Sequence, residues 1–468
     1  MRRALLVAAL LLAACPTEDP EDCAAIAPVP PPLGPLTTDG TAFKDADGRT
    51  INLRGVNTGG RSKFAPYVPF DTSDATFAAD LDAYLDRAAT WGVNVFRVPF
   101  SWAALEPTEG VWDEAWLSRY VALLDGAHAR GIWTIVDFHQ DVYAEPFCGD
   151  GFPVWTIPGD PGPPQHDCPT WYLGYFDDPD VQAAFDRLWA NEDGLRDTLD
   201  GMWEALVTRL ADHPGVIGYE LLNEPGWGTA DRDTFTATTL PAWYESLVPR
   251  LQAIDPDALF FLDTNGVEGP AASTVMERPN LDGIVFAPHF YHPTIILGSD
   301  GPAINESPLP GLTAWAEVGA DWDVPILIGE YGLPIGRSGG PQWISAHYDA
   351  FDALGIHGTI WEYSTSTEVW NEETLSITFS SGAETELVEP MARPYLAAVA
   401  GDVTSLAVTP DSLTAGWTGE IGGLSEIALP TRGWAGATIT AEGGCVAQVG
   451  DRTFVRAIAE SVWLQVSR

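Results

Sequence analysis

Residues 216–225 read VIGYELLNEP. The run from Val216 to Leu222 has the length and the apolar, β-branched and aromatic content of a strand. Gly215 precedes it, where a helix C-cap belongs, and the run stops at Asn223-Glu224-Pro225. An amide and a carboxylate just past a strand end sit at the face where parallel barrels carry their chemistry.

Working outward, the same rhythm recurs. Short apolar runs at Ile51–Asn57, Val93–Phe100, Trp133–Phe138, Leu259–Asp263, Ile284–Phe290, Pro325–Glu330 and Thr359–Tyr363 join the first to make eight. Between them lie segments with apolar residues at three- and four-residue spacing, such as 77–91, 114–130, 195–212 and 241–254. Alternating βα units of this number predict an α/β fold, a TIM (β/α)8 barrel, over residues 40–397. From Gly401 the composition shifts to short alternating runs (405–408, 425–429, 437–440, 446–449, 461–466) with Gly and Pro turns, which predicts a small C-terminal β-sandwich over 401–468.

The chain has 468 residues and a formal charge of −43, which opposes binding to nucleic acid or to an anionic bilayer by charge attraction. A neutral substrate fits better, and 19 Trp, 19 Phe and 13 Tyr suit walls that hold sugar rings. Arg2 and Arg3 followed by an apolar run to Ala14 and the tetrad Leu12-Ala13-Ala14-Cys15 resemble a bacterial lipobox. That resemblance implies a leader over 1–14, lipidation at Cys15 and a membrane-tethered, exported protein; a plain secretory signal cut nearby is the alternative. Residues 15–39, rich in Pro, Asp and Glu, read as an extended spacer. Cys23, Cys148, Cys168 and Cys445 then remain in an oxidising compartment. Cys148 and Cys168 flank one Pro- and Gly-rich loop and are expected to pair, leaving Cys23 with Cys445. No CxxC, HExxH or glycine-rich phosphate loop is present, so neither a metal nor an organic cofactor is expected, and a monomer is expected.

Polar residues end several of the runs: Arg97 in FRVPFSW, His139 and Asp141 in DFHQD, Asn223 and Glu224, His289 and Tyr291 in HFYHP, Glu330 in IGEYG, and Trp361. Glycoside hydrolysis needs an acid for the leaving oxygen and a second carboxylate at the oxocarbenium-like carbon. Glu224 and Glu330, across the mouth from each other, supply that pair, and a separation of about 5 Å corresponds to retention of configuration. Mutual repulsion raises one pKa while Arg97 keeps the other group ionised.

Together FRVPFSW, NEP, HFYHP and IGEYG resemble glycoside hydrolase family 5 of clan A, over about residues 45 to 395. The resemblance implies Glu224 as acid/base, Glu330 as nucleophile and Asn223 on the sugar 2-hydroxyl. It further implies that Arg97, His139, His289 and Tyr291 orient the carboxylates and the sugar over a Trp361 platform. His292 reads as structural. DFHQDVY with the aromatic loop after it is similar to the endoglycoceramidase branch, which releases intact glycans from glycosphingolipids. In that branch an Asp and a Lys contact the sugar next to ceramide, which carries over to Asp141 and Lys63.

Aromatic and aliphatic residues in the mouth loops (Phe147, Phe152, Trp155, Trp171, Tyr172, Tyr175 and Phe176, then Ile295, Ile296 and Leu297) are expected either to line a lipid groove or to pack around the Cys148–Cys168 bridge. Other readings stay open: a glucosylceramide, steryl-glucoside or β-glucan hydrolase of the same family, or a surface carbohydrate-binding protein without catalysis.

Overall fold

The computed structural model describes residues 23, 33–159, 161–295, 301–365, 374–449 and 452–468. The leader over 1–14, Cys15, most of the spacer, Ile296 and Leu297 lie outside the described residues. Among the described residues no helix is long and apolar enough to cross a membrane.

The described residues from 33 onward begin with three short strands, β1 (Thr37–Asp39), β2 (Ala42–Lys44) and β3 (Thr50–Ile51). Eight barrel strands follow: β4 (Arg54–Asn57), β5 (Val95–Phe100), β6 (Trp133–Phe138), β7 (Val216–Glu220), β8 (Leu259–Leu262), β9 (Ile284–Phe286), β10 (Leu327–Tyr331) and β11 (His357–Ile360). They pair in parallel in the order β10-β11-β4-β5-β6-β7-β8-β9, and a parallel bridge between Phe286 and Ile326 closes β9 on β10. Helices fill the connections, among them Phe77–Ala89, Glu114–His128, Leu195–Leu210 and Leu240–Gln252. The side chain of Asp113 caps the second of these by accepting from the N–H groups of Ala115 and Trp116.

Two expected strands change shape. The run Ile51–Asn57 is split, because the main chain and the side chain of Asn52 bond to the carbonyls of Ala397 and Leu396, 2.9 and 2.7 Å away, and turn the chain between two sheets. The run Ile284–Phe290 ends at Phe286, close to Pro288, which has no N–H for a ladder.

After the barrel come β12 (Tyr395–Val399), β13 (Asp402–Thr409), β14 (Ser412–Thr418), β15 (Leu424–Ala428), β16 (Thr438–Glu442), β17 (Gly444–Val449), β18 (Arg452–Ala457) and β19 (Ser461–Ser467). A seven-stranded sheet, β1-β2-β3-β12-β15-β18-β17, accompanies a four-stranded one, β13-β14-β19-β16. Leu396, Trp417, Ile427, Trp434, Val455 and Leu464 share the core of this sandwich.

The expected boundaries need correction in two places. The sandwich starts at β12, before Gly401, and takes its edge from the N-terminal strands. The spacer does not reach Asp39: Leu36 is fully buried and packs with Phe43 and Ile51 against Trp133, Ile217 and Phe261 in the barrel floor. Cys23 is bonded to Cys445, with Cα atoms 5.4 Å apart, so a disulfide also joins the start of the described chain to β17. Cys148 is bonded to Cys168, as the loop spacing predicts.

Candidate active site

The site is built on strand ends around one buried cation. Arg97, midway along β5 and 0% exposed, has its guanidinium wholly surrounded by side chains. Nε and one terminal nitrogen donate to the two carboxylate oxygens of Glu220 on β7, both at 2.7 Å. The other terminal nitrogen donates to Asn57 on β4 and to Glu330 on β10, each at 2.9 Å. The amide oxygen of Asn223 accepts at 2.7 Å, and Asp137 on β6 lies 3.2 Å away. Burial opposes a charge here, but Asp137, Glu220 and Glu330 hold the guanidinium protonated. A planar donor fork can serve this many acceptors at once; an ammonium cannot.

Glu330 is bound on both oxygens, one by Arg97 and the other by the Tyr291 hydroxyl at 3.0 Å. Glu224 lies opposite. One of its oxygens is 2.8 Å from Nδ1 of His289, and Glu224, His289 and Glu330 place atoms within 4.8 Å of one another. Burial, then the charge of Asp141, pushes the Glu224 carboxyl up to about 7. Burial also holds His289 down at about 4, so its imidazole is neutral. Of two facing carboxyl groups, one is ion-paired with an arginine and the other is a proton-holding acid, the division of labour that acid-assisted displacement requires.

Asp137 joins this arm to a second. Its other oxygen is 2.9 Å from Nδ1 of His139. Burial works against protonation of His139, but Asp137 and Asp141 push it up to about 10. Asp141 accepts from Lys63 at 2.5 Å; burial would raise its pKa, yet Lys63 and His139 bring it down to about 2. Trp361 stacks on His139 with centroids 4.9 Å apart, and the Lys63 ammonium stands 4.7 Å from its ring centre. Trp361 is 2% exposed. His292 bonds Thr294 at 2.9 Å, a local contact that matches its structural reading.

All ten residues singled out for catalysis or binding therefore fall into one connected cluster. Sequence reasoning missed Asn57, Asp137, Gln140, Glu220 and Asp263. Asp137 was legible, since it precedes His139 by two positions and so shares its face of the strand. Gln140 donates to the carbonyls of Asn223 and Glu224, at 2.8 and 2.9 Å, and braces the turn that carries the acid. Glu220 and Asp263 gave no such signal.

The mouth-loop aromatics divide. Phe147, Phe152 and Tyr175 are buried, as in the alternative in which these rings pack on one another, and Tyr143, Phe152 and Phe185 form one ring cluster. Tyr172, Leu173 and Phe176 are exposed, Phe176 by 45%. Ile295 is buried.

Comparison with known proteins agrees with this geometry. The chain is 32% identical over 277 residues to endoglycoceramidase I of Rhodococcus hoagii; the match covers 56% of this chain and 54% of that protein, so the chain spans about half the length of this relative. The structure of endo-glycoceramidase II from Rhodococcus sp. in complex with ganglioside GM3 superposes with a TM-score of 0.77 at 28% identity, covering 92% of this chain and 99% of that one. An endogalactoceramidase crystal structure, 22% identical with a TM-score of 0.75 over 93% of this chain and 100% of the other, shares the fold. The model of the cellulase family, glycosyl hydrolase family 5, matches residues 44–367, and the chain belongs to that family.

Proposed function

We propose that the protein hydrolyses the β-glycosidic bond between the oligosaccharide and the ceramide of glycosphingolipids, with retention of configuration. The observation that carries the mechanism is the pair Glu224 and Glu330, with oxygens within 4.8 Å and opposite electrostatic surroundings. Such a spacing leaves no room for a water between carboxylate and sugar and corresponds to double displacement.

Glu330, paired with Arg97 and aligned by Tyr291, attacks the anomeric carbon. The bond to the leaving oxygen breaks as that oxygen takes the proton of Glu224, releasing ceramide. Glu224, now a carboxylate, takes a proton from water, whose oxygen displaces Glu330 from the same carbon. This step frees the glycan and restores both groups. Asn223, fixed between Arg97 and the carbonyl of Gln140, is placed for the sugar 2-hydroxyl, and Lys63 and Asp141 for the sugar next to the lipid. The exposed Tyr172, Leu173 and Phe176 offer apolar contact to an aglycone at the mouth. The glycolipid reading also has the support of the endoglycoceramidase names of its relatives. Export and a lipid anchor at Cys15 fit a substrate held in a membrane.

Incubation with a ganglioside and with cello-oligosaccharides, read by mass spectrometry, tests the proposal. Intact glycan plus free ceramide is expected, and neither with Glu330→Gln. Products from cello-oligosaccharides alone would keep the displacement chemistry and remove the lipid assignment.

A further inference from the structure

The main chain of Glu224 is in the left-handed region, with φ at 40°. A non-glycine residue holds that conformation only where its surroundings impose it. Asp263, the residue after β8, supplies the restraint. One of its carboxyl oxygens accepts the Glu224 N–H at 2.9 Å, while the other accepts the Thr264 N–H at 2.7 Å and fixes the group. The first oxygen is also 3.5 Å from Nε2 of His289, whose Nδ1 meets the Glu224 carboxyl at 2.8 Å. Asp263 thus holds the acid by its backbone N–H and stands behind, without hydrogen-bonding, the imidazole that meets the acid's carboxyl.

The loop after β8 presses on the same group. A Cβ on Gly266 would stand 2.4 Å from a Glu224 carboxyl oxygen. Asp263 is 1% exposed, at a depth where a carboxyl group is costly unless every oxygen is used. It is in none of the contacts between Glu330 and Arg97 or Tyr291, so its direct hydrogen bond serves the acid and not Glu330.

We infer that Asp263 is the positioning residue for the general acid: it fixes the Glu224 main chain in its left-handed turn and so sets how the acid's carboxyl meets the leaving oxygen. The inference rests on the assignment of Glu224 as acid. Its signature is dependence on the leaving group, since a good leaving group departs without a proton and a poor one does not.

The test compares kcat/KM of wild type, Asp263→Ala and Asp263→Asn on a 2,4-dinitrophenyl β-glycoside and on the corresponding phenyl β-glycoside. The amide offers one acceptor where the carboxyl offers two. Asp263→Ala is expected to lose roughly 30-fold to 100-fold on the phenyl substrate and less than about 3-fold on the dinitrophenyl one, with Asp263→Asn between wild type and Ala. Equal losses on both substrates, or no loss on either, overturn the inference. Should Asp263→Ala fail to fold, the same comparison is decided by Asp263→Asn and by Gly266→Ala, which crowds the acid without removing a hydrogen bond. A wild type inactive on both glycosides, or a Glu224→Ala variant equally impaired on both, removes the acid assignment instead and leaves the positioning contact without a reaction to serve.

Discussion

The two ends of the barrel interior are made by the same strands and filled by opposite chemistry. At the floor, Leu36, Phe43, Ile51, Trp133, Ile217 and Phe261 form an apolar plug with no ion pair in it. At the mouth, Arg97, Asp137, Glu220 and Glu330 meet at almost no exposure, with Lys63, His139, Asp141 and Asp263 beside them. The floor gains stability for every methylene removed from water. The mouth takes charges out of water, and their mutual attraction at best returns that cost. The difference shows where the fold keeps strength and where it holds groups ready to react.

Four changes would sharpen or break this contrast, from the largest effect to the smallest. Glu330→Gln removes the group proposed to attack carbon and is expected to lower kcat by roughly 10⁴-fold to 10⁶-fold, measured with an aryl β-glycoside, while the melting temperature stays near wild type. Arg97→Ala leaves Asp137, Glu220 and Glu330 facing one another and should cost about 3–5 kcal/mol of stability by urea unfolding, together with activity. If Arg97→Ala proves harmless to folding, the mouth is wetter and more pliable than its burial indicates.

Phe43→Ala opens a cavity in the floor and should cost about 3–4 kcal/mol of stability. The kcat of the folded fraction should not change; a fall in kcat would mean that floor and mouth are mechanically coupled. The smallest effect is that of pH. The raised pKa of Glu224 means that the free enzyme keeps the acid's proton below about 7 and loses it above. Because catalysis needs the protonated form, kcat/KM should fall about tenfold per pH unit on the alkaline side of that value. A flat profile to pH 9 would separate Glu224 from proton donation.

Much of the mouth was legible because barrel chemistry sits where strands end, and a strand end is a local event. Asn223-Glu224-Pro225 announces itself by a proline and a change of polarity, and Glu330-Tyr331 by a break after an apolar run. Acids inside apolar runs were harder. Glu220 ends β7 but lies within the longer run Val216–Leu222, and a strand buried on nearly its whole length lacks the alternation that tells an inward residue from an outward one. Asp263 was read as the last residue of a strand, and nothing local links it to an acid 39 residues away. The loop aromatics left two readings open, since composition reports that a loop is apolar and not which way each ring turns.

The sequence by itself determined the eight βα units, the two carboxyl groups, most of the side chains around them and the pairing of Cys148 with Cys168. Each follows from periodicity, capping or close spacing along the chain. Only the tertiary structure decided that strands near residue 40 complete a sheet with strands near residue 455, that one arginine meets three acids from three strands, and that Asp263 grips Glu224. These contacts join residues far apart in sequence, and their energies depend on burial and geometry that exist only once the barrel has closed.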